Sequence, residues 1–434
     1  MGSDFITKIG RVAEVFDGPH ATPKKIDTGP YFLSISSLEG GQLDLSKSAH
    51  VSEEQFTKWT KRVTPREGDV LFSYETRLGE AALMPGGIKA CLGRRMGLLR
   101  PDLDVVLPEY LLYAYLAPAF QTEIKKRTNH GATVNRIALK ELPDFDIRIP
   151  PLDEQRNTVE ILKSMNEKLS LNNQINQTLE QMAQTLFKSW FVDFDPVKAK
   201  MNGEQPKGMD APFLSKEVAS LFPEKLVESE LGLIPEGWDV GTLSNVAKYC
   251  SARTNTDTIS LENYISTENM LAEKKGVTAA SKLPTAKTVA AYKSGDILVS
   301  NIRPYFKKIW LAEGSGGRSN DVLGFESVSE NTDSYLMNLL YQDTFFEYMT
   351  RTSKGAKMPR GDKTAIMNWE MAVPPVELRE AFSAIVDKFY QLIPQNRAQN
   401  ATLESLRDTL LPKLLSGEID LENVQVEQAK ALAE

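Results

Sequence analysis

The sequence predicts an α+β protein built as an internal repeat. A globular unit of mixed α and β structure is followed by a long helix, then by a second globular unit and a second long helix. Three observations carry this reading. Apolar residues keep a heptad stripe in two places: Leu378, Phe382, Ile385, Phe389, Leu392, Leu403, Leu406, Leu410 and Leu414, and earlier Val159, Leu162, Leu169, Ile175, Leu179, Met182, Leu186 and Trp190. Such a stripe marks a long helix packed along another helix. The two stripes are copies, since Asn172 matches Asn396, Leu179-Glu180 matches Leu403-Glu404 and Thr185-Leu186 matches Thr409-Leu410, each 224 positions apart. The preceding regions echo as well: Gly68-Asp69-Val70-Leu71 against Gly295-Asp296-Ile297-Leu298, and Thr128-Asn129-His130-Gly131 against Thr352-Ser353-Lys354-Gly355. A repeat of this kind fixes the architecture. Asn396 and Gln399 fall in a polar gap on the second stripe, where a polar residue can set helix register.

The implied segments are a globular unit over 1–150, a long helix over 151–196, a connector over 197–236, a second globular unit over 237–374, a second long helix over 375–417 and a tail over 418–434. In the first unit, Val12–Phe16, Tyr31–Ile35, Val70–Tyr74 and Ile147–Ile149 read as strands separated by Gly, Pro and Asp. Pro108–Lys126 reads as one helix. In the second unit the strands are Tyr264–Thr267, Ile297–Asn301 and Lys308–Ala312, and a helix spans Ser334–Arg351. Pro196 is expected to stop the first long helix. The connector, rich in Lys, Glu, Gly and Pro, reads as a surface segment with a short helix near Lys216–Leu221.

The chain has 434 residues, a formal net charge of −7 and two cysteines, Cys91 and Cys250. With no metal-like spacing, these read as free thiols of a reducing compartment, the cytoplasm. No run of 18 apolar residues marks a membrane span. The net charge argues at first against nucleic acid, but it is unevenly spread: +1 over 1–150, +1 over 237–374, and −9 over the helices, connector and tail. Balanced units can bind DNA when their cations cluster on one face.

The clusters are visible. Lys125, Lys126 and Arg127 close the first unit's helix, with Asn135 and Arg136 beyond. Lys and Arg neutralise phosphates, and Arg and Asn make paired hydrogen bonds to base edges. The plainer reading is a solvated helix end, where cations offset the dipole. Lys24, Lys25, Arg77, Arg94 and Arg95 are weaker candidates. In the second unit the candidates are Arg303, Tyr305, Lys307, Lys308 and Arg318, then Lys354, Lys357, Arg360 and Lys363. The last four occupy the place that Lys125–Arg136 holds in the first unit. At the end of the first long helix, Phe187, Trp190, Phe191 and Phe194 share one face. An aromatic face needs cover from a globular unit or a partner protein; we assign these four to partner binding.

No phosphate loop, nucleophile elbow or zinc-protease motif occurs. One nuclease-like spacing, Asp102 with Glu123 and Lys125, would hold Mg²⁺, but Glu123 and Lys125 end a predicted helix rather than lie on a core strand. The chain is read as non-catalytic, with no metal site of its own.

The runs Pro150-Pro151-Leu152-Asp153-Glu154-Gln155-Arg156, Phe187-Lys188-Ser189-Trp190-Phe191-Val192-Asp193-Phe194-Asp195-Pro196, Leu231-Gly232-Leu233-Ile234-Pro235-Glu236-Gly237-Trp238 and Leu411-Pro412-Lys413-Leu414-Leu415-Ser416-Gly417-Glu418 resemble those of the specificity subunits of type I restriction-modification systems. The resemblance spans nearly the whole chain. It implies two target-recognition domains held apart by two antiparallel helices, each reading one half of a bipartite, asymmetric site on double-stranded DNA. It also implies two methyltransferase subunits carrying S-adenosylmethionine, and motor-nuclease restriction subunits using ATP and Mg²⁺. The second repeat departs by reading Pro374-Pro375-Val376-Glu377-Leu378-Arg379, without the Glu-Gln pair. Two other readings stay open: a stand-alone Mg²⁺-dependent nuclease, and a coiled-coil organising protein with no nucleic-acid role.

Overall fold

The computed structural model describes residues 5–19, 21–130, 135–204 and 214–419. They fall into two compact units, Met1–Ser170 with Asn400–Glu434, and Leu171–Gln399. Each contains a globular part and a stretch of both long helices, which run Leu152–Phe191 and Val376–Ser416.

Each unit is built on a four-stranded antiparallel sheet. In the first the order is Ala13–Asp17, Met96–Pro101, Val70–Ser73 and Ala81–Leu83. In the second it is Ala247–Tyr249, Val322–Ser327, Ile297–Ser300 and Ile309–Leu311. Val70–Ser73 and Ile297–Ser300 are buried throughout, which is why they read as unbroken apolar runs rather than alternating ones. The Gly-Asp echo enters these strands by one device. Gly68 and Gly295 hold φ of 83° and 88°, where a side chain would be strained. Asp69 accepts from Arg66 N at 2.8 Å and Asp296 from Lys293 N at 2.9 Å, closing matching turns.

Several elements differ from expectation. The helix over Pro108–Lys126 is two helices, Pro108–Leu116 and Pro118–Lys126. Ala117 precedes a proline and is pushed to ψ 143°. The second unit breaks at the same place, into Asp333–Leu340 and Asp343–Arg351, without a proline. The expected strand at Tyr31–Ile35 lies earlier, at Ile26–Phe32, because Ser34 caps a 3-10 turn over Ile35–Ser37. Pro196 does not end the first long helix, which stops at Phe191; Phe194 turns left-handed and Pro196 opens a short helix, Asp195–Met201. Nor is the connector simply a surface segment. Val197 and Phe222 are buried in the second unit's core, and Leu226–Ser229 pairs with Gly232–Pro235 as a hairpin. Residues 205–213 and 420–434 lie outside the described residues.

Within each unit the helices pack antiparallel. In the second, Asn172 Nδ2 donates to Gln399 Oε1 at 2.7 Å and Asn396 Nδ2 to Asn176 Oδ1 at 2.8 Å, while Phe187 and Trp190 meet Phe382. Partner numbers fall as numbers rise along the first helix. In the first unit, Ile161, Leu162 and Met165 pack with Leu403, Leu406, Leu410 and Leu414. One stripe assignment is corrected: Leu392 is exposed, and Val386 and Ile393 take the buried positions. The second helix also carries Pro394 and Pro412 in its interior, each removing one backbone donor.

Candidate nucleic-acid interface

In the second unit the chain leaves the central strand Ile297–Ser300 through a loop whose tip is a 3-10 turn, Pro304–Phe306. The residues flanking the turn, Arg303 and Lys307, are both left-handed, at φ 48° and 50°. The loop is fastened along its backbone to the segment 354–361: Arg303 N donates to Pro359 O at 2.8 Å and Gly361 N to Asn301 O at 3.1 Å, and Ile302 bridges to Arg360. A third segment backs it, with Glu273 N donating to Phe306 O and Lys274 N to Lys307 O, both at 2.9 Å. Stretches 301–308 and 351–363 hold eight Lys and Arg against one carboxylate, Asp362.

The first unit repeats the arrangement. The loop after Val70–Ser73 is fastened to strand Asn135–Ile137: Ile137 N donates to Tyr74 O at 2.9 Å, Thr76 N to Asn135 O at 3.4 Å, and Glu75 bridges to Arg136. Thr76 is left-handed, at φ 73°, in the place of Arg303. Ser73 Oγ donates to Glu75 O and Ser300 Oγ to Ile302 O. The preceding helix ends alike too, Thr128 Oγ1 donating to Ile124 O and Thr352 Oγ1 to Tyr348 O. Arg136 and Arg360 therefore hold equivalent positions, both exposed, each on a segment fastened to a strand-exit loop.

The structure brings together Arg303, Tyr305, Lys354, Lys357 and Arg360 in one unit, and Arg77, Asn135 and Arg136 in the other. Lys354 pairs with Asp362 and Arg360 with Asp321. Lys357 and Lys363 are exposed without an ion-pair partner among the described residues. Lys125 and Lys126 are exposed at a helix end, where both the phosphate and the dipole readings hold. Arg127 is engaged by Glu123 at 2.6 Å and lies over Phe145, and Arg77 donates to Ile35 O and pairs with Glu80. Lys24 and Lys25 are exposed beside strand Ile26–Phe32, and no hydrogen bond ties them to the fastened loops. Gly131 lies outside the described residues.

Three expectations are corrected. Arg318, expected on a cationic surface, is instead 7% exposed, and its guanidinium is occupied by Val322 O, Cys250 O and Ala291 O. Burial pushes its pKa down. Lys307 and Lys308 are turned inward; Lys307 shares Asp343 with Lys274, and Lys308 Nζ donates to Thr267 O. Burial lowers the Lys308 pKa. The aromatic face offers little to a partner either. Phe187, Trp190 and Phe191 are buried in the second unit's core, and Phe194 packs at its edge, its ring 5.5 Å from Trp238. Two of the motifs that carried the family resemblance are thus one aromatic cluster.

The other two motifs also meet. Arg148 Nη2 pairs with Glu154 at 2.7 Å and Arg148 Nη1 donates to Leu415 O at 3.2 Å, joining the start of the first long helix to the end of the second. Gln155 is fully buried, donating to Val105 O and Pro150 O and accepting from Leu107 N. Arg379 takes its place in the second repeat, also buried, its backbone N donating to Pro375 O as Gln155 N donates to Pro151 O.

Glu123 of the nuclease-like spacing is held in the Arg127 ion pair, and Asp102 accepts from Asp104 N in a turn. Among the described residues no cluster of His, Cys, Asp and Glu is placed to hold a metal, and no helix is long and apolar enough to cross a membrane. Cys91 and Cys250 are free thiols, both pushed up to about 12 by burial.

Sequence reasoning ranked Arg95 only as a weaker candidate, and missed Thr76 and Glu75 in the first unit and Phe306, Met358 and Asp321 in the second. Extending the Gly-Asp echo past the strand would have aligned Thr76 with Arg303 and exposed the shared loop.

Residues 7–181 match the family model of the type I restriction modification DNA specificity domain. The chain is 24% identical over 411 residues to the type I restriction enzyme HindI specificity subunit of Haemophilus influenzae, covering 82% of this chain and 87% of that one. It is 24% identical over 423 residues to the MjaIX specificity subunit of Methanocaldococcus jannaschii, covering 94% and 88%. Its fold is similar to the crystal structure of a type I restriction-modification S subunit from M. genitalium, with a TM-score of 0.55 at 13% identity over 95% of this chain and 96% of that one.

Proposed function

Because the chain belongs to the family of type I restriction-modification specificity subunits, we propose that it reads a bipartite, asymmetric site on double-stranded DNA, one half with each globular unit. The two long helices, Leu152–Phe191 and Val376–Ser416, set the spacing between half-sites. Methyltransferase subunits with S-adenosylmethionine, and restriction subunits with ATP and Mg²⁺, supply the chemistry, and this chain supplies none. The observation that carries the reading is the repeated loop pair, which puts Arg136 and Arg360 at equivalent exposed positions. Arginine there suits bidentate contact with a guanine edge, and Lys357 and Lys363 suit phosphates. Different side chains around the two arginines suit different half-sites.

The test is a map of methylated adenines in the host genome with the gene intact, deleted, or carrying Arg136→Ala or Arg360→Ala. The gene should be needed for one bipartite motif. Each variant should relax one position in a different half, losing about 1–3 kcal/mol of discrimination. An unchanged map after deletion would remove the role in DNA recognition.

A further inference from the structure

Resting on that reading, we propose that the second unit carries an aromatic wedge, Tyr305 with Phe306, which enters its half-site and unstacks one base step. The two rings lie 4.8 Å apart and are 46% and 37% exposed. Met358, on the segment fastened to this loop, is 49% exposed. Large apolar side chains gathered at a loop tip have no folding role to explain their exposure. The turn is also held stiffly. Segment 354–361 bonds it on one side and 273–274 on the other. Arg303, Lys307, Glu273 and Lys274 are all left-handed, a conformation these residues avoid unless the surroundings impose it. Asp343 binds both Lys274 and Lys307 across the base of the loop. A rigid apolar tip loses little freedom when it binds.

The surroundings say what it binds. Six exposed cations of the loop pair, Arg303, Arg351, Lys354, Lys357, Arg360 and Lys363, fit a polyanion, and aromatic rings beside them fit the faces of bases. In a duplex such rings act as a wedge between steps and kink the helix. The step entered should be a flexible pyrimidine–purine step. Among the described residues the first unit has no counterpart. Its loop places Leu78, packed on the core, and Gly79 where the second has Tyr305 and Phe306. The distortion should therefore fall in one half-site only.

The experiment uses the full chain assembled with its methyltransferase subunits and a duplex carrying the mapped site. Thymines are replaced one at a time by 5-iodouracil, whose photocrosslinks form with stacked aromatic rings. A crosslink to Tyr305 or Phe306 is expected at one step of the second unit's half-site. The double variant Tyr305→Ser with Phe306→Ser should bind at least about tenfold more weakly, with the same salt dependence, since phosphate contacts remain. Tyr305→Trp with Phe306→Trp should keep the affinity. No crosslink, or a serine variant that binds like the parent, overturns the wedge while leaving DNA recognition in place. Loss of the methyltransferase subunits from the serine variant would assign the rings to a protein contact and also overturn it. A parent complex that binds no DNA would overturn both proposals.

Discussion

The strand-exit loops of the two units share a backbone and differ in almost every side chain. Both leave a buried strand that follows a Gly-Asp turn, both turn left-handed at the same residue, and both are fastened to the segment bearing an exposed arginine. Yet Glu75 in the first unit faces Arg95 at 3.2 Å, whereas the second has Ile302 at the place of Glu75 and Asp321 at the place of Arg95. Asp321 pairs instead with Arg360, at 3.3 Å. The sign of charge at one lattice point is inverted between the copies. Backbone hydrogen bonds hold the loop whatever its side chains are, so the side chains are free to differ between the copies.

The largest expected difference lies beneath the loops. Asp69 is almost fully buried and binds Arg100 through both oxygens, at 2.8 and 3.0 Å. Asp296 is equally buried, but its cation is the exposed Lys293, 3.6 Å away. Removing one member of a buried pair strands the other, whereas an exposed ion pair contributes roughly 0–1 kcal/mol. Asp69→Asn should destabilise its unit by about 2 kcal/mol, discounted because Arg100 is partly exposed. Asp296→Asn should cost less than about 1 kcal/mol. Hydrogen exchange at Val70–Ser73 and at Ile297–Ser300 reads each unit separately. Equal loss of protection would mean that the two turns are held by the backbone alone.

A smaller effect should sharpen the loop comparison. Asp321→Asn frees Arg360 and removes a carboxylate from a cationic surface. Glu75→Gln does the same for Arg95. Each should relax base preference at one position by about 1 kcal/mol, in the second and first half-site respectively. Methylated-adenine maps of the two variants check this. Relaxation in both halves from either single change would break the assignment of one unit to one half.

What the sequence made legible was whatever repeats at short range. The heptad stripes and the Gly-Asp turns survive as patterns because helix packing and a positive φ each demand particular residues at fixed steps. The cationic segment over 354–363 was legible from composition alone. The burial of Arg318 was not, since its three carbonyl partners come from distant segments that no local pattern connects. The aromatic run at Phe187–Phe194 was seen, but not its cover. Trp238, Tyr335 and Phe382 reach it from three other places in the chain. The loop tip at Tyr305 and Phe306 was half seen, because a ring in a loop reads the same whether it packs or projects.

The smallest effect concerns the polar layer between the helices. Asn396 donates to Asn176, and Asn172 donates to Gln399. Asn172 and Asn176 are both buried. A polar residue on such a seam fixes register at a cost in stability. Asn396→Leu alone leaves Asn176 without that donor, and an unsatisfied buried amide costs about 1–3 kcal/mol, which offsets the gain from the new apolar contact. The single variant should therefore melt within a few degrees of the parent. Replacing Asn176 and Asn396 together by Leu removes both halves of the pair and should raise the melting temperature. The gain should come with looser register, visible as a second population in spin-label distances across the helix pair. If instead the double variant unfolds more readily than the single one, the layer is a required stabilising contact and the register argument fails.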